Sequence, residues 1–431
     1  MTSAPALEQT RDTDGQLMGL ACLMTMAFRG FDLRPLAAEL IGRAAGRESD
    51  ANALMDLSTI LLLSDVNTVG LAVQAEALQA SRIYRLASSR RAAIRLLAIM
   101  SSGDLMVNAP LPFLFEDSDI ELTMIYLQPG EQLPRELPEH DAMIVAISQS
   151  DRTLGLLQSL GRSLPTNAEP IFNRPAGIAR TCRSEAYRHL ADVRGLVMPP
   201  TSRTTRALLS RTARGELALN AILEGGTLPL IVRPVDSHAG HGLSKIGTLG
   251  ELESYLDGNT FEEFFVSPFI DYRSPDGQFR KYRVALVDSV PFAAHMGISD
   301  HWMIHYLNAG MNESAAKRAE EERFMRAFKT DFSVRHRQAL EAISNRFGLE
   351  LLVIDCAETP SGELLVFEMD PAAVVHSMDP DDLFPYKREN MAQIYSAFRA
   401  MLARSIDAAC HEGVLLGSIS RRQGNVRTAV I

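Results

Sequence analysis

The stretch LELLVIDCAET, residues 349–359, and its continuation ELLVFEMDPAAVVH, residues 363–376, decide the reading of this chain. Both runs are dense in branched aliphatic residues, and Pro360-Ser361-Gly362 between them supplies turn chemistry, so the pair predicts a hairpin. Residues two apart on a strand share a face, which projects Glu368 and Asp370 to the same side. Asp355 ends the preceding apolar run, and a short turn brings it alongside. Three carboxylates facing one pocket repel strongly unless cations sit among them. The alternative is a solvated edge of acids. The apolar flanks LLVID and LLVFE place these acids next to core, which favours a divalent metal, with magnesium bridging phosphate oxygens as its natural form.

A second constellation lies upstream in PLIVRPVDSHAGHGLSKI, residues 229–246. It reads as strand, loop, strand. The glycines of the loop permit close backbone approach, so successive N–H groups can point at a phosphate. A Gly-rich hairpin turn is common and weak evidence alone. Its neighbour strengthens it: Arg233 stands on the preceding strand, where an inward basic side chain needs an anion. Further strands are predicted in FFVSPFIDY (264–272) and KYRVALVDSVPFAAHM (281–296), the latter carrying Arg283. LVMPPTSRTT (196–205) reads as a Pro-bounded strand, SVRHRQALEAISNRFG (333–348) as a helix, and a last helix runs from about Glu389 to Ala403.

Nearer the N-terminus, IRLLAIM (94–100), ELTMIYL (121–127) and HDAMIVAIS (140–148) alternate with helical and Pro-rich segments. That alternation predicts a small parallel α/β sheet. Residues 16 to about 87 read as helical throughout, with Leu17, Leu20, Leu23 and Met24 on one face and Asp50 capping a later helix. These short helices resemble a degenerate tetratricopeptide-type pair, but no second copy recurs at a fixed period. A packing subdomain is the plainer reading beside a partner-binding module. The divisions are 1–15, a disordered tail; 16–93, helical; 94–180, α/β; 181–405, the main domain; and 406–431, a flexible polar tail.

The net charge of −10 excludes a nucleic-acid footprint spread over the whole surface, which would be broadly basic. Cys22, Cys182, Cys356 and Cys410 stand far apart with no CxxC pair, the usage of a reduced compartment. The opening MTSAPALEQTRDTDGQ lacks a signal peptide's basic and apolar regions, and no apolar stretch is long enough to span a bilayer. The expectation is a cytoplasmic protein without membrane or nucleic-acid partners.

The order of these elements is what resembles a known family: a basic residue, a basic strand with a Gly-rich loop, a linker strand, an Arg-bearing strand, then Asp and Glu-x-Asp. It is similar to the ATP-grasp superfamily over about residues 94–405. NRPAGIARTCRSEAYRHLADVRGLVMPPT (173–201) looks like the entry to the grasp fold in RimK-type ligases. The resemblance implies an α/β and α+β architecture, with a small parallel pre-grasp domain and a two-lobed grasp fold behind the helical N-terminus. It implies ATP and Mg2+ as cofactors and assigns roles to residues. Arg183 and Arg233 would clamp phosphates, and the loop of Ser237, His238, Gly240 and Gly242 would cover them. Backbone from Val266 to Ile270, with Ser267, Phe269 and Ile270 foremost, would read adenine. Asp355, Glu368 and Asp370 would hold magnesium, while Arg283 and His295 would stabilise the reacting oxyanion.

Three positions depart from the family pattern. Arginines replace lysines at both phosphate positions, which changes geometry. Pro268 stands where a Glu is common in the hinge, and Asp370 replaces an Asn. The implied reaction is amide formation through an acyl phosphate, from a carboxylate substrate and an amine acceptor that can be an amino acid, a peptide or a protein. A homodimer is implied on the same grounds alone. A kinase acting on a hydroxyl, and a nucleotide-binding interaction protein without turnover, stay open. AHMGISDHWMIHYLNAGM (294–311) is expected to line the acceptor pocket, with plain packing as the alternative. His301 and His305, at i and i+4, form a weak metal pair beside it. AAKRAEEERFMRAFKTDF (315–332) is expected to be a solvated, partly mobile helix or a lid.

Overall fold

The computed structural model describes residues 15–46, 50–115, 117–165, 170–237, 240–305 and 308–426. Four helices come first: α1 (Gly19–Phe28), α2 (Arg34–Gly46), α3 (Ala51–Leu63) and α4 (Asn67–Ala80). The Asp50 side chain accepts from Ala53 N–H and caps α3, as the sequence predicts. Leu23, Leu40, Ala53, Leu57 and Ile60 form a core between the helices. Asp56, fully buried, accepts from the amides of Met18 and Gly19 at 2.8 and 2.9 Å and so ties the start of α1 to α3.

The helical run ends earlier than its periodicity suggests. Ile83–Leu86 is a strand, β1, paired antiparallel to the third strand of the following sheet. Tyr84 is buried there and its hydroxyl donates to Ala77 O at 2.7 Å. A four-residue edge strand is too short to declare its own period, and partnership with the sheet overrides the helical pattern. Then come β2 (Ile94–Ser101), β3 (Ile120–Leu127), β4 (Ala142–Val145), α5 (Asp151–Ser163) and β5 (Ile171–Phe172). The sheet order is β1-β3-β2-β4-β5, parallel except for β1. Near-continuous burial along β2 and β3 is what a parallel sheet covered on both faces requires.

Short helices α6 (Pro175–Ala179) and α7 (Arg183–Leu190) lead into the last two sheets. LVMPPTSRTT splits into β6 (Leu196–Val197) and β7 (Ser202–Thr205), which join different sheets. After α8 (Arg206–Ala213) come β8 (Leu230–Pro234), β9 (Ser244–Ile246), α9 (Leu249–Asp257) and β10 (Glu263–Pro268). The antiparallel sheet β7-β10-β8-β9 carries its own core around Leu209, Leu252 and Phe264. The remaining elements are β11 (Phe279–Val287), β12 (Val290–Ser299), α10 (Ala315–Ala327), α11 (Phe332–Arg335), α12 (Arg337–Phe347), β13 (Leu351–Glu358), β14 (Leu364–Asp370) and α13 (Lys387–Val426). The final sheet runs β12-β11-β13-β14-β6. The architecture is therefore a helical front, a small α/β domain and two antiparallel-based lobes, as expected.

Two expectations change. The last helix continues to Val426, where the sequence reading ended it near Ala403 and left a loose tail. Met391, Ile394, Phe398, Met401 and Leu402 pack it jointly on the parallel sheet and on the back of β11 and β13. The charged helix α10 is mostly solvated, but its Glu321 is fully buried. That carboxylate accepts from Met296 N–H at 2.9 Å, from the Tyr386 hydroxyl at 2.7 Å, and pairs with Lys387 at 3.2 Å. Buried charge is tolerated only when satisfied in this way. No helix among the described residues is long and apolar enough to cross a membrane.

Candidate active site

A cavity of about 650 Å³ opens between the β7-β10-β8-β9 sheet and the β12-β11-β13-β14-β6 sheet. Its charged wall follows from strand register. Pairing places His295, Arg283, Asp355 and Glu368 side by side on β12, β11, β13 and β14. Bulges between Arg283 and Val284 and between Asp355 and Cys356 interrupt that register beside the row. Such irregularities re-aim side chains at functional edges.

Asp355 is 2% exposed, and Arg283 binds it through two nitrogens at 2.7 and 3.0 Å. Lys281 adds its ammonium at 2.7 Å. Burial alone would raise the Asp355 carboxyl, but Arg283 and then Lys281 outweigh it and hold the group far below its ordinary range. Lys281 was not among the residues singled out from the sequence. Its signal was available: it lies two before Arg283, so a strand turns both to one face.

Glu368 pairs with Arg183 from the start of α7, and with Arg233 from β8 at 3.5 Å. Against the burial that would raise it, Arg183 and then Arg233 bring it down to about 2. Arg233 is itself pushed down to about 10, by burial first and by Arg183 beside it second. A buried arginine pressed against another lacks negative charge. Asp370 takes the Ala372 amide at 2.8 Å and has no ion-pair partner among the described residues. Burial, with Glu368 nearby, raises it to about 6. Along this row four cations stand beside three carboxylates, and Asp151 and Asp236 line the cavity elsewhere.

The expected metal set is thus only partly assembled. Asp355 is saturated by two basic side chains, and the described residues contain no group of three His, Cys, Asp or Glu side chains spaced to hold a metal ion. That includes the His301 and His305 pair. The physical reason is the basic strand β11, which turns the first acid into an anchor for Lys281 and Arg283. Glu368, a third exposed, and Asp370, raised chiefly by burial, remain suitable oxygen donors.

The loop after β8 meets the cavity through Asp236, Ser237 and Gly240. Gly240 has φ +77 and Gly242 φ +68, and a Cβ on Gly242 would stand 2.7 Å from Pro234 Cγ. Glycine is required there. Gly242 itself does not line the cavity, and His238 lies outside the described residues. Arg233 donates to Ser237 O, so the loop already leans on the basic strand. In the hinge, Ser267, Pro268, Phe269 and Ile270 all line the cavity. The Phe269 amide, however, donates to Pro229 O at 3.0 Å. That N–H is therefore not free to read a base edge. The Phe269 ring carries the Lys245 ammonium at 3.7 Å over its face and meets Trp302 edge-on.

Trp302, Met303, Ile304, His305, Asn308 and His295 also line the cavity, with His305 and Asn308 exposed. His295 is held well below its ordinary pKa by burial first and Arg283 second, so the ring is neutral at pH 7. The apolar part of the lining was not foreseen. Met24, Ala27 and Phe28 of α1, Leu63 at the end of α3 and Met106 face the cavity. His376 is 5.9 Å from the Phe28 ring and 6.2 Å from Phe113, and burial lowers it to about 4. The helical front is part of the site.

No family model matches the chain, and no curated protein matches it. In the course of its backbone it is similar to solved structures. One is a RimK domain ATP-grasp protein from Sphaerobacter thermophilus DSM 20745, 15% identical, TM-score 0.40, covering 72% of this chain and 99% of that one. Others are the VanG D-Ala:D-Ser ligase from Enterococcus faecalis, 14% identical, TM-score 0.43, with the same coverage, and the D-alanine-D-alanine ligase from Coxiella burnetii, 11% identical, TM-score 0.43, covering 76% and 99%.

Proposed function

We propose that this chain is an ATP-grasp type ligase that activates a carboxylate with ATP and passes the acyl group to an amine. The observation that carries the reading is the convergence of Arg183, Arg233, Lys281 and Arg283 from three separate elements on one wall of a cavity, beside Asp355, Glu368 and Asp370. Such a wall suits a polyphosphate. The apolar slot between Ile231, Phe265 and Leu365 suits a base.

Arg183 and Arg233 would bind the terminal phosphates, taking phosphate oxygens in place of Glu368. Glu368 and Asp370 would hold the magnesium that arrives with the nucleotide, which supplies charge neutralisation on the phosphates. Asp355 positions Lys281 and Arg283 and does not touch substrate. The substrate carboxylate oxygen attacks the γ-phosphorus, the bond to ADP breaks, and an acyl phosphate results. This step needs alignment and charge neutralisation above all. An amine then adds to the acyl carbon, Arg283 and His295 stabilise the oxyanion, and the C–O bond breaks to release phosphate. The amine proton leaves to solvent or to a neutral histidine of the cavity.

The test is ADP release from Mg-ATP against pools of amino acids and peptides, beside an Asp355→Ala/Glu368→Ala variant. Substrate-dependent turnover that the variant loses supports the ligase. Tight ATP binding without turnover in any pool would point instead to a nucleotide-binding interaction protein, and a stable phosphate ester to a kinase.

A further inference from the structure

The charged wall leaves the second substrate unnamed, but the apolar lining beside it narrows it. Beyond Arg283 the cavity is bounded by Met24 and Phe28 of α1, Leu63 of α3, Met106, Val374 and Met378. Arg283 donates to Val374 O at 3.0 Å, so this chamber adjoins the reacting row directly. His376 beside it is uncharged at neutral pH, and none of these six side chains carries charge. These six side chains offer a charged or strongly polar substituent no partner.

Resting on the ligase reading above, we infer that the second substrate carries a bulky apolar side chain of leucine, methionine or phenylalanine size, seated against α1 and the end of α3. Six methionines, Met24, Met106, Met198, Met303, Met369 and Met378, line the whole cavity. Methionine is unbranched and polarizable and moulds to different shapes. The chamber therefore accepts several large apolar side chains rather than one. The same chemistry can come from a free amino acid or from a terminal residue of a peptide.

Trp302 is the sole tryptophan of the chain and lines this cavity, so its fluorescence reports binding without turnover. L-leucine, L-methionine, L-phenylalanine, L-alanine and L-aspartate, and the dipeptides Leu-Gly and Gly-Leu, are titrated into the full chain in the presence of ADP. The three large apolar amino acids should bind within about tenfold of one another and about tenfold or more tighter than L-alanine or L-aspartate. A dipeptide that binds tighter than free leucine assigns the site to a peptide terminus, and the reverse assigns it to free amino acids.

Phe28→Asp should abolish the apolar preference while an ATP titration of the same variant stays unchanged. Leu63→Phe, which adds bulk without charge, should weaken L-phenylalanine more than L-leucine and keeps the test informative if the first variant does not fold. Preference for L-aspartate or L-alanine, no binding by any member of the set, or an unchanged preference in the variant that folds would each overturn the inference. Loss of ATP binding in the native chain, with apolar preference intact, would defeat the ligase reading and leave this chamber standing.

Discussion

The two walls of the cavity are built by opposite means. The charged wall is a row across four adjacent strands, where register alone sets His295, Arg283, Asp355 and Glu368 side by side. The apolar wall is assembled from α1, the end of α3 and a loop some 350 residues further along the chain, with Phe28 meeting His376. A row on strands is rigid and over-determined, since each charge is held by its neighbours. A wall of helix-borne methionine and phenylalanine is held by packing and yields to what it contacts. Charge placement thus belongs to the sheet, and adaptability to the helical front.

That contrast breaks most visibly at Arg283. Arg283→Met leaves Asp355 buried with Lys281 as its only cation, and removing one partner of a buried pair costs about 3–5 kcal/mol. Urea unfolding should register that loss, and turnover of the surviving fold should drop by about 10²–10³. Equal stability in the variant would show that the row is not over-determined.

Asp56 sharpens the other side, because it fastens the start of α1. Burial raises its carboxyl to about 6 in spite of the Met18 and Gly19 amides. A folded-state pKa above the unfolded value means that the native state holds the proton more tightly between about pH 4 and 6. This group therefore favours folding most in acid, and its contribution falls as pH rises through that window, by about 2–3 kcal/mol. Asp355 and other paired acids act in the opposite sense, so the measurement is the stability difference between native chain and Asp56→Asn at pH 4 and pH 8. The difference should shift in favour of the variant at the higher pH.

Arg233→Ala should separate binding from folding. Its guanidinium is already pushed down by burial and by Arg183, so its loss should leave the melting temperature unchanged. ATP affinity should fall by about 2 kcal/mol, a charge-assisted contact, read by calorimetric titration. A fall in both would make Arg233 structural. The smallest effect belongs to Lys245→Met, which removes the ammonium over Phe269. A weakening of ATP binding by about 0.5–1 kcal/mol is expected.

The same contrast explains what could be read from the sequence. Glu368 and Asp370 declare themselves by their spacing of two in an apolar run and Arg233 by its strand beside the Gly-rich loop, while Arg183 and Arg283 come only from the family resemblance; all line the cavity. Lys281 follows the same rule, two residues before Arg283 on one strand. The pairing of Asp355 with two cations was not legible, since it depends on β11 lying beside β13. Periodicity shows that Met24 and Phe28 can share a helix face, but not that the face covers a site near His376. The commitment of the Phe269 amide to Pro229 O is likewise a pairing across the sheet that local sequence does not carry.

The measurement that bears most directly on the ligase reading follows an oxygen atom. Amino acids labelled with ¹⁸O in the carboxylate are incubated with Mg-ATP and the full chain, and the released phosphate is analysed by mass. Passage through an acyl phosphate predicts one labelled oxygen in each phosphate formed with substrate. Phosphate released without label while substrate is consumed would contradict it.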